Sequence, residues 1–477
     1  MAPGDAARLY HQLSSYRYVP GIEWPMPIDH PLVRQDFVPN HRPTFPLHRK
    51  AYPDGLPSVE LPATWPRVPA PAIEVLAGRH TLAAQPLDLS GLARILHLSA
   101  GVVRVAVRRD GRRFLFRPAG SAGGLFPLEL YVAAHGVHGL VDGVHWYDPV
   151  DHALRQVGPA PPGEATTLVV TGIPWRTGWR YAERGFRHLY WDAGTMLSHV
   201  LAVAESGGHR PRLLTGFPDA GVARLVGADG AREFPLAVVA LGDGAPAIVP
   251  GGAATAGTID AAAIEFPLVT LAQRAGDQER LDEPWPTPPP LDGELPASDD
   301  LDAVILRRGS ARTLDATAAL DARTVGLSLA ASLRGTRVVH FVAVHAVAGL
   351  EPGLYRWPNL ERPLRRGPLR DELWVACYEQ DLRRDASFVL ISAVDLAQLD
   401  DRGYREAQLD AGIVEGRLHL AAYALGIGAS GMTFLDSEIP ALLGEPLAGL
   451  LFTCVGVPFH LTKRAGAPRA PRDVNEA

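Results

Sequence analysis

Lysine and cysteine are among the residue types that this sequence of 477 residues uses least. The two cysteines, Cys377 and Cys454, lie far apart and without the spacing of metal ligands. We therefore expect two buried free thiols in a reducing compartment. The two lysines are Lys50 and Lys463. A lysine base or a Schiff-base lysine would have to be one of these two residues.

The sequence also lacks an excess of basic charge and any long apolar run. Its formal net charge of -6 argues against non-specific binding to nucleic acid, which needs a basic surface. The first residues contain no apolar core of a signal peptide, and no later run approaches the length of a membrane span. We therefore expect a soluble cytoplasmic protein. The histidines His30, His41 and His48 fit no common zinc spacing, so we predict no metal site.

Two segments rich in proline divide the chain. Residues 1–70 contain many prolines, histidines and aromatic residues without regular periodicity, which predicts an extended arm lying on a core. Residues 276–300 are acidic and rich in proline, which predicts a linker. Because the length exceeds that of one ordinary domain, we predict a first domain over residues 71–275 and a second over 301–477.

The two predicted domains repeat each other weakly. "VHGLVDGVHWY" (137–147) is similar to "VAGLEPGLYRW" (347–357), and "RGFRHLYWDAG" (184–194) is similar to "RGYREAQLDAG" (402–412). Because the two matches occur in the same order, a duplicated domain explains them best. Each half reads as helix, strand, strand, long helix and strand, so the predicted fold class is α+β, with central sheets covered by helices.

An arginine-rich segment opens the second half. "ILRRGSARTLD" (305–315) carries Arg307, Arg308, Ser310 and Arg312 at the predicted start of a helix. Arginine binds phosphate through paired hydrogen bonds, and the N-terminus of a helix favours anions. These residues predict a phosphate site, and a solvated basic patch is the alternative. The chain end adds Lys463 and Arg464, for which a solvated tail is the alternative.

Two further segments are rich in glycine. "GSAGGLFP" (120–127) contains Ser121, Ala122, Gly123 and Gly124 just before a predicted strand. The stretch 117–127 contains five glycine and proline residues, which suggests that something lies close to the main chain. "ALGIGASGMTF" (424–434) comes after the long helix of the second half and contains Gly431 and Met432. It could present backbone N–H groups to a planar ligand, or it could simply end the helix.

Together these segments resemble the nitroreductase-like flavoproteins, and among them the SagB-type dehydrogenases. The resemblance covers residues 70–270 and 300–465 and is strongest in "SAGGLFPLELY" and from "RGYREAQLDAG" to "GIGASG". It implies two nitroreductase-like domains that form a pseudo-dimer within one chain, each a mostly antiparallel sheet flanked by helices. It also implies an FMN cofactor between them. Whether the chain associates further is left open.

The resemblance assigns the cofactor-binding residues to both halves. It implies that residues of the second half bind the FMN phosphate and ribityl chain. It also implies that the small-residue turn of the first half lies against the ring. Gly431 and Met432 flank the ring from the other side. The residues implied for the phosphate and ribityl chain are Arg307, Arg308, Ser310, Arg312, Lys463 and Arg464, and those implied for the turn are Ser121, Ala122, Gly123 and Gly124.

The two halves have lost complementary parts of this site. Aligning "GRHTLA" (78–83) with "RRGSAR" (307–312) leaves the first half with Arg79 and Thr81 as its matching residues. Conversely, "SLAASLRGTRVVHF" (328–341) in the second half has no counterpart of the glycine pair or the proline. We therefore predict one FMN per chain, with the mirror-related site lost.

The resemblance also suggests a reaction. SagB-type members oxidise azoline rings in peptides to azoles and often use a lysine–tyrosine pair, which here reads Arg180–Tyr181. Arginine stays protonated and is a poor base, but its charge could lower the pKa of Tyr181. The first hypothesis is a dehydrogenase acting on a peptide or natural-product intermediate, with other biosynthetic enzymes as candidate partners. The alternatives are an NAD(P)H-dependent nitro or quinone reductase and a non-catalytic, flavin-free subunit.

Overall fold

The computed structural model describes residues 2–17, 28–109, 111–460, 462 and 464–474. Within these residues the helices are α1 Asp5–Ser14, α2 Ala72–Leu76, α3 Leu89–Ala100, α4 Pro174–Tyr181, α5 Gly185–Ser206, α6 Asp219–Val226, α7 Pro267–Ala275, α8 Leu301–Arg307, α9 Ala322–Ser332, α10 Arg370–Ala376, α11 Asp381–Asp385, α12 Asp401–Ala424 and α13 Ile439–Leu443. In the part of the chain so described, no helix is both long and apolar enough to cross a lipid bilayer.

The strands are β1 Ser58–Glu60, β2 Arg104–Val107, β3 Arg113–Phe116, β4 Leu128–Ala134, β5 Gly143–Asp148, β6 Ala153–Gly158, β7 Thr166–Gly172, β8 Pro211–Leu214, β9 Phe234–Leu241, β10 Leu320–Asp321, β11 Val339–Val344, β12 Val347–Ala348, β13 Gly353–Arg356, β14 Arg365–Arg366, β15 Phe388–Val394, β16 Gly428–Met432, β17 Ala448–Gly456 and β18 Arg472–Asp473. Many of them are rich in valine, leucine and phenylalanine, the residues that fit a buried pleated surface.

The two halves contain sheets of matching topology. The first sheet has the order β1-β6-β5-β4-β7-β9-β8, and the second has the order β14-β13-β11-β15-β17-β16. All neighbouring strands in both sheets are antiparallel. The run β5-β4-β7-β9-β8 corresponds strand by strand to β13-β11-β15-β17-β16. The predicted α+β class and the predicted duplication are therefore confirmed.

Helices cover both faces of each sheet. In β7, Leu168 and Val170 face the core that contains α3 and α5, whereas Val169 faces the core that contains α6. In β15, Leu390 packs with α9 and α12, and Ile391 packs with α10 and α13. This alternation arises from the two-residue period of a strand, and it makes the central strands apolar on both sides.

The long helices α5 and α12 pack against each other along the boundary of the halves. Gly194 and Gly412, the glycines of the two "DAG" motifs, lie where the helices touch. A Cβ at Gly194 would overlap Leu409 O, and one at Gly412 would lie 2.8 Å from the Cα of Trp191. The repeated glycine therefore allows the backbones of the two helices to meet, and it accounts for the motif that both halves share.

The N-terminal residues differ from the prediction. Residues 5–14 form α1, so the expectation that residues 1–70 lack regular structure is wrong there. Tyr10 is fully buried, packs edge-on against Phe186 at 5.0 Å and Tyr404 at 6.0 Å, and donates a hydrogen bond to Glu183 O. The helical period was obscured because the buried face of α1 consists of two alanines, a tyrosine, a histidine and a serine. The helix thus contacts both halves of the molecule.

Elements also cross between the halves at the other end of the chain. Leu301, Val304 and Ile305 of α8 belong to the same buried cluster as α2 and α3 of the first half. The C-terminal strand β18 pairs in parallel with β2 of the first half, Arg472 opposite Arg104. The two halves therefore exchange structure rather than merely touching, and they form a pseudo-dimer within the chain.

Candidate functional site

The small-residue turn of the first half lies against the predicted catalytic pair. Gly123 and Gly124 have φ angles of 63° and 67°, which other residues adopt at a cost. A Cβ at Gly123 would lie 3.1 Å from Arg180 Cδ and 3.1 Å from Tyr181 Oη. A Cβ at Gly124 would meet no atom within 4 Å, so this side of the turn is open. The turn therefore places Gly123, which has no side chain, against the two residues that the resemblance predicts as catalytic.

A buried aspartate holds the start of this turn. Ser121 Oγ donates to Asp192 Oδ2 at 2.5 Å, and Ala122 N donates to Asp192 Oδ1 at 3.0 Å. Phe126 N in turn donates to Ser121 Oγ at 2.9 Å. We call the group formed by Asp192, Ser121 and Ala122 the first clamp. Burial raises the pKa of Asp192 to about 7, although the two hydrogen bonds of the clamp lower it.

Tyr181 keeps its proton more strongly than the sequence suggested. Arg180 acts in the expected direction and lowers the pKa of Tyr181, but burial is the larger effect and raises it well above the ordinary value. The ring of Tyr181 stacks on His188, with the centroids 3.9 Å apart. The expectation of a lowered tyrosine pKa is therefore wrong, because desolvation outweighs the neighbouring charge.

Arg308 of the second half reaches the turn of the first half. Its Nε donates to Pro118 O at 2.6 Å, and its Nη1 donates to His419 Nδ1 at 3.2 Å. The side chain is buried, and burial lowers its pKa to about 10. A Cβ at Gly120 would lie 3.7 Å from Nη1. In this structure Arg308 ties the two halves together at the first residues of the turn.

The arginine-rich segment comes at the C-terminal end of α8, so the expectation that it starts a helix is wrong. The apolar residues Leu301, Val304 and Ile305 form the helix before the arginines, and Arg308 is its C-cap.

The residues of the segment other than Arg308 face outward. Arg307 forms an ion pair with Asp299 at 2.7 Å. Ser310 and Arg312 are exposed. Because their polar groups are accessible to solvent beside the buried Arg308, they are available to an anionic ligand.

The C-terminal segment runs alongside the same region. Ala465 N donates to Leu306 O at 2.7 Å, so the tail lies next to the end of α8. Arg464 is exposed. Lys463, which the sequence also predicts as a phosphate ligand, lies outside the described residues.

The glycine-rich segment of the second half forms an edge strand beside these arginines. Ala311 N donates to Ala429 O at 2.9 Å, which places the arginine-rich segment next to β16. Gly431 and Met432 lie in this strand and are partly exposed. A Cβ at Gly431 would overlap the carboxylate of Glu415 in α12. An acidic group therefore lies at the surface that the resemblance assigns to the cofactor ring.

Sequence reasoning missed Asp192, Glu415 and His419. Thr195 Oγ1, which donates to Trp191 O at 2.9 Å, also lies 3.4 Å from Glu415 Oε2, and His419 Nε2 lies 3.5 Å from Glu415 Oε1. His419 also accepts from Arg308, so a polar chain runs from α5 through α12 to the turn. Asp192 could have been found, because its "DAG" motif is repeated. Glu415 and His419 stand four residues apart on one helix, but no sequence signal indicates what that face meets.

The mirror-related position is filled by protein. Arg334 of the second half lies against Gly78, where a Cβ would overlap its guanidinium. The same guanidinium donates to Leu76 O at 2.7 Å, Pro288 O at 2.9 Å and Pro289 O at 3.0 Å. Arg79, the counterpart of Arg308, donates to the linker at Gly293 O. The linker and Arg334 therefore close the second of the two symmetry-related positions.

The second half nevertheless keeps a clamp of the same form. Thr336 Oγ1 donates to Asp410 Oδ2 at 3.0 Å, and Arg337 N donates to the same oxygen at 2.5 Å. We call this group the second clamp. After it the chain enters β11 at Val339, two residues beyond Arg337, whereas the glycine pair comes after the first clamp and β4 begins only at Leu128. The open turn is therefore a feature of the first half.

Comparison with known proteins identifies the fold. No known protein-family profile matches the chain. Over 174 residues, 33% of this chain and 82% of the relative, it is 27% identical to a protein of Methanocaldococcus jannaschii described as a "putative nitroreductase". The crystal structure of a "putative nitroreductase" from Anabaena variabilis superimposes with a TM-score of 0.69 at 22% identity and covers 95% of this chain and 99% of that one. The chain thus has a nitroreductase-like fold over nearly its whole length.

Proposed function

We propose that this protein is an FMN-dependent oxidoreductase with one flavin site, formed between its two halves. The observation that carries the proposal is the hydrogen bond from Arg308 to Pro118 O. It brings the arginine-rich segment of the second half to the small-residue turn of the first. The resemblance to SagB-type flavoproteins assigns these two segments to opposite sides of the cofactor. The "putative nitroreductase" relative supports an oxidoreductase.

The residues at this position fit a flavin. The turn is open beside Gly124, where a side chain would occupy the space that a ring needs. Ser310, Arg312 and Arg464 offer exposed hydrogen-bond donors and positive charge for a phosphate group. Arg308, being buried, would shape the site from behind. Two features oppose binding of an anion: the carboxylate of Glu415 beside Gly431 and the C-terminal end of α8, where the arginine-rich segment begins.

The stoichiometry tests this proposal most directly. Protein purified with FMN should carry one flavin per chain, measured as visible absorbance against protein concentration. Because Arg334 and the linker fill the mirror-related position, a value of two would contradict the proposal. A colourless, correctly folded preparation that takes up no added FMN would also overturn it and would favour a non-catalytic role.

The finer proposal is a dehydrogenase acting on a peptide or natural-product intermediate. Bound FMN supplies the hydride-transfer chemistry, and the protein supplies orientation and proton handling. Tyr181 Oη would lie 3.1 Å from a Cβ at Gly123, so it is a proton-carrying group beside the turn. Arg180 next to it stays charged and cannot accept a proton. Oxidation of an azoline ring would require a proton acceptor, and Tyr181 is our candidate for that role.

The raised pKa of Tyr181 favours a second candidate, an NAD(P)H-dependent reductase of nitro or quinone compounds. A phenol with a raised pKa is protonated at neutral pH, and it can donate a proton more readily than it can accept one. Reduction of a substrate needs such a donor. Anaerobic mixing with NADPH separates the two reactions. Rapid bleaching of the flavin would support the reductase, and bleaching by an azoline-containing peptide alone would support the dehydrogenase.

A further inference from the structure

The two clamps are alike in geometry and differ in the segment that each one leads into. In each, the aspartate of a "DAG" motif accepts hydrogen bonds from a hydroxyl group and from the next backbone N–H. The first clamp leads into the open turn, and the second leads directly into a strand. The chain therefore contains one clamp beside the proposed flavin site and a second clamp that has no such site beside it.

The surroundings of the two carboxylates differ in charge. Burial raises the pKa of Asp410, and the hydrogen bonds of the second clamp and the positive charges of Arg417 and Arg337 lower it. Burial raises the pKa of Asp192 most, and the negative charge of Glu415 in α12 raises it further. The charge of Asp192 in turn raises the pKa of Tyr181 in α4. Within the described residues, the hydrogen-bond partners of Asp192 are the hydroxyl and the N–H of the first clamp. Because burying a carboxylate is costly for both aspartates, what distinguishes Asp192 is the acidic neighbour and the open turn that it holds.

The first clamp also fixes the position of the catalytic candidates. Ser121 Oγ accepts from Phe126 N, which closes the turn around Gly123 and Gly124. Gly123 in turn contacts Arg180 and Tyr181. Loss of the carboxylate would remove the two hydrogen bonds that hold Ser121 and Ala122 to α5.

We propose that Asp192 is a positioning residue that shapes the small-residue turn for the cofactor, whereas Asp410 supports folding alone. The inference rests on the proposed function, because it assigns a role at the proposed flavin site. Asp192 touches neither substrate nor cofactor in this proposal. It acts through the backbone of Ser121–Gly123.

The test compares Asp192→Ala with its matched control Asp410→Ala in the full chain. Flavin-free protein is titrated with FMN at pH 8 and flavin fluorescence is followed. We expect Asp192→Ala to weaken FMN binding about tenfold or more, since it removes two hydrogen bonds to a charged group. Asp410→Ala should stay within about twofold of wild type. Asp192→Asn, which keeps an acceptor for Ala122 N, should restore most of the affinity.

The absorption and circular-dichroism bands of bound FMN give a second readout, which loss of stability alone would not move. Asp192→Ala should shift these bands, and Asp410→Ala should leave them as in wild type. Where Asp192→Ala does not fold, Ser121→Ala and its control Thr336→Ala make the same comparison. FMN binding by Asp192→Ala equal to wild type, or equal weakening by the two alanine variants, would overturn the inference. Absence of FMN binding by wild-type protein would instead overturn the proposed function.

Discussion

At the scale of single residues, chemistry depends on burial more than on residue type. Arg308 and Arg312 belong to one segment, yet Arg308 is buried against the other half and Arg312 is exposed. The pKa of Tyr181 is raised although Arg180 lies beside it, because desolvation outweighs the effect of the neighbouring positive charge. The same side chain can therefore tie two domains together or face a ligand, according to where the backbone puts it.

Replacing Arg312 should separate ligand binding from folding. Arg312→Ala removes an exposed positive charge and should weaken FMN binding by about tenfold, with little change in thermal stability. The control is Arg79→Ala, which alters the corresponding segment at the closed mirror position. Equilibrium dialysis with FMN checks both variants, and equal weakening would contradict the one-site arrangement.

The raised pKa of Asp192 predicts a dependence of stability on pH. A carboxylate whose pKa is about 7 in the folded state and 3.8 in the unfolded state favours folding at low pH. That contribution is lost as the pH rises between these values and amounts to about 4 kcal/mol at most. Asp192→Asn should remove this slope.

Urea denaturation of wild type and Asp192→Asn between pH 4.5 and 8 measures the effect, with the pH values chosen to bracket about 7. The difference in free energy of unfolding should shift in favour of the asparagine variant as the pH rises. Parallel curves for the two proteins would contradict a raised pKa at Asp192.

At the scale of elements, the contact between α5 and α12 depends on two glycines. Gly194→Ala should destabilise the protein by about 1–3 kcal/mol, because its Cβ would overlap the backbone of the other helix. Gly326→Ala in α9 is the control, since a Cβ there meets no atom within 4 Å and should stabilise the helix by up to about 1 kcal/mol. Thermal unfolding checks both, and a Gly194→Ala as stable as wild type would disprove the tight crossing.

The sequence was sufficient for elements that carry periodic or repeated patterns. The "DAG" motifs kept their register, so the paired helices and the duplicated α+β fold could be predicted. It was insufficient for α1, whose buried face includes His11 and Ser14. Contacts between distant segments were also beyond it. The face of α12 that carries Glu415 contacts β16 only in the folded molecule, and no local sequence pattern predicts that contact.

At the scale of the whole molecule, the duplication has lost its symmetry. One boundary position is an open turn beside accessible arginines, and the other is filled by Arg334 and residues 288–293. The linker predicted over residues 276–300 therefore does more than connect two domains. It covers the position that the duplication relates to the proposed flavin site.

Emptying the mirror position should not create a second site. Arg334→Ala removes three hydrogen bonds to backbone carbonyls and should cost about 1–3 kcal/mol of stability. The flavin content should remain one per chain, because the second half has no glycine pair after its clamp. Absorbance against protein concentration measures the content, and two flavins per chain would show that Arg334 alone blocks the position.

Because α8 and β18 pack against the first half, they would hold the two halves together if the chain were produced as two pieces. A cut in the linker would leave the C-terminal fragment with a helix embedded in the other fragment and a strand hydrogen-bonded to it. Two separately produced pieces should hence recognise each other without a covalent tether. Appearance of the yellow colour of bound flavin on mixing would then show that the two pieces associate.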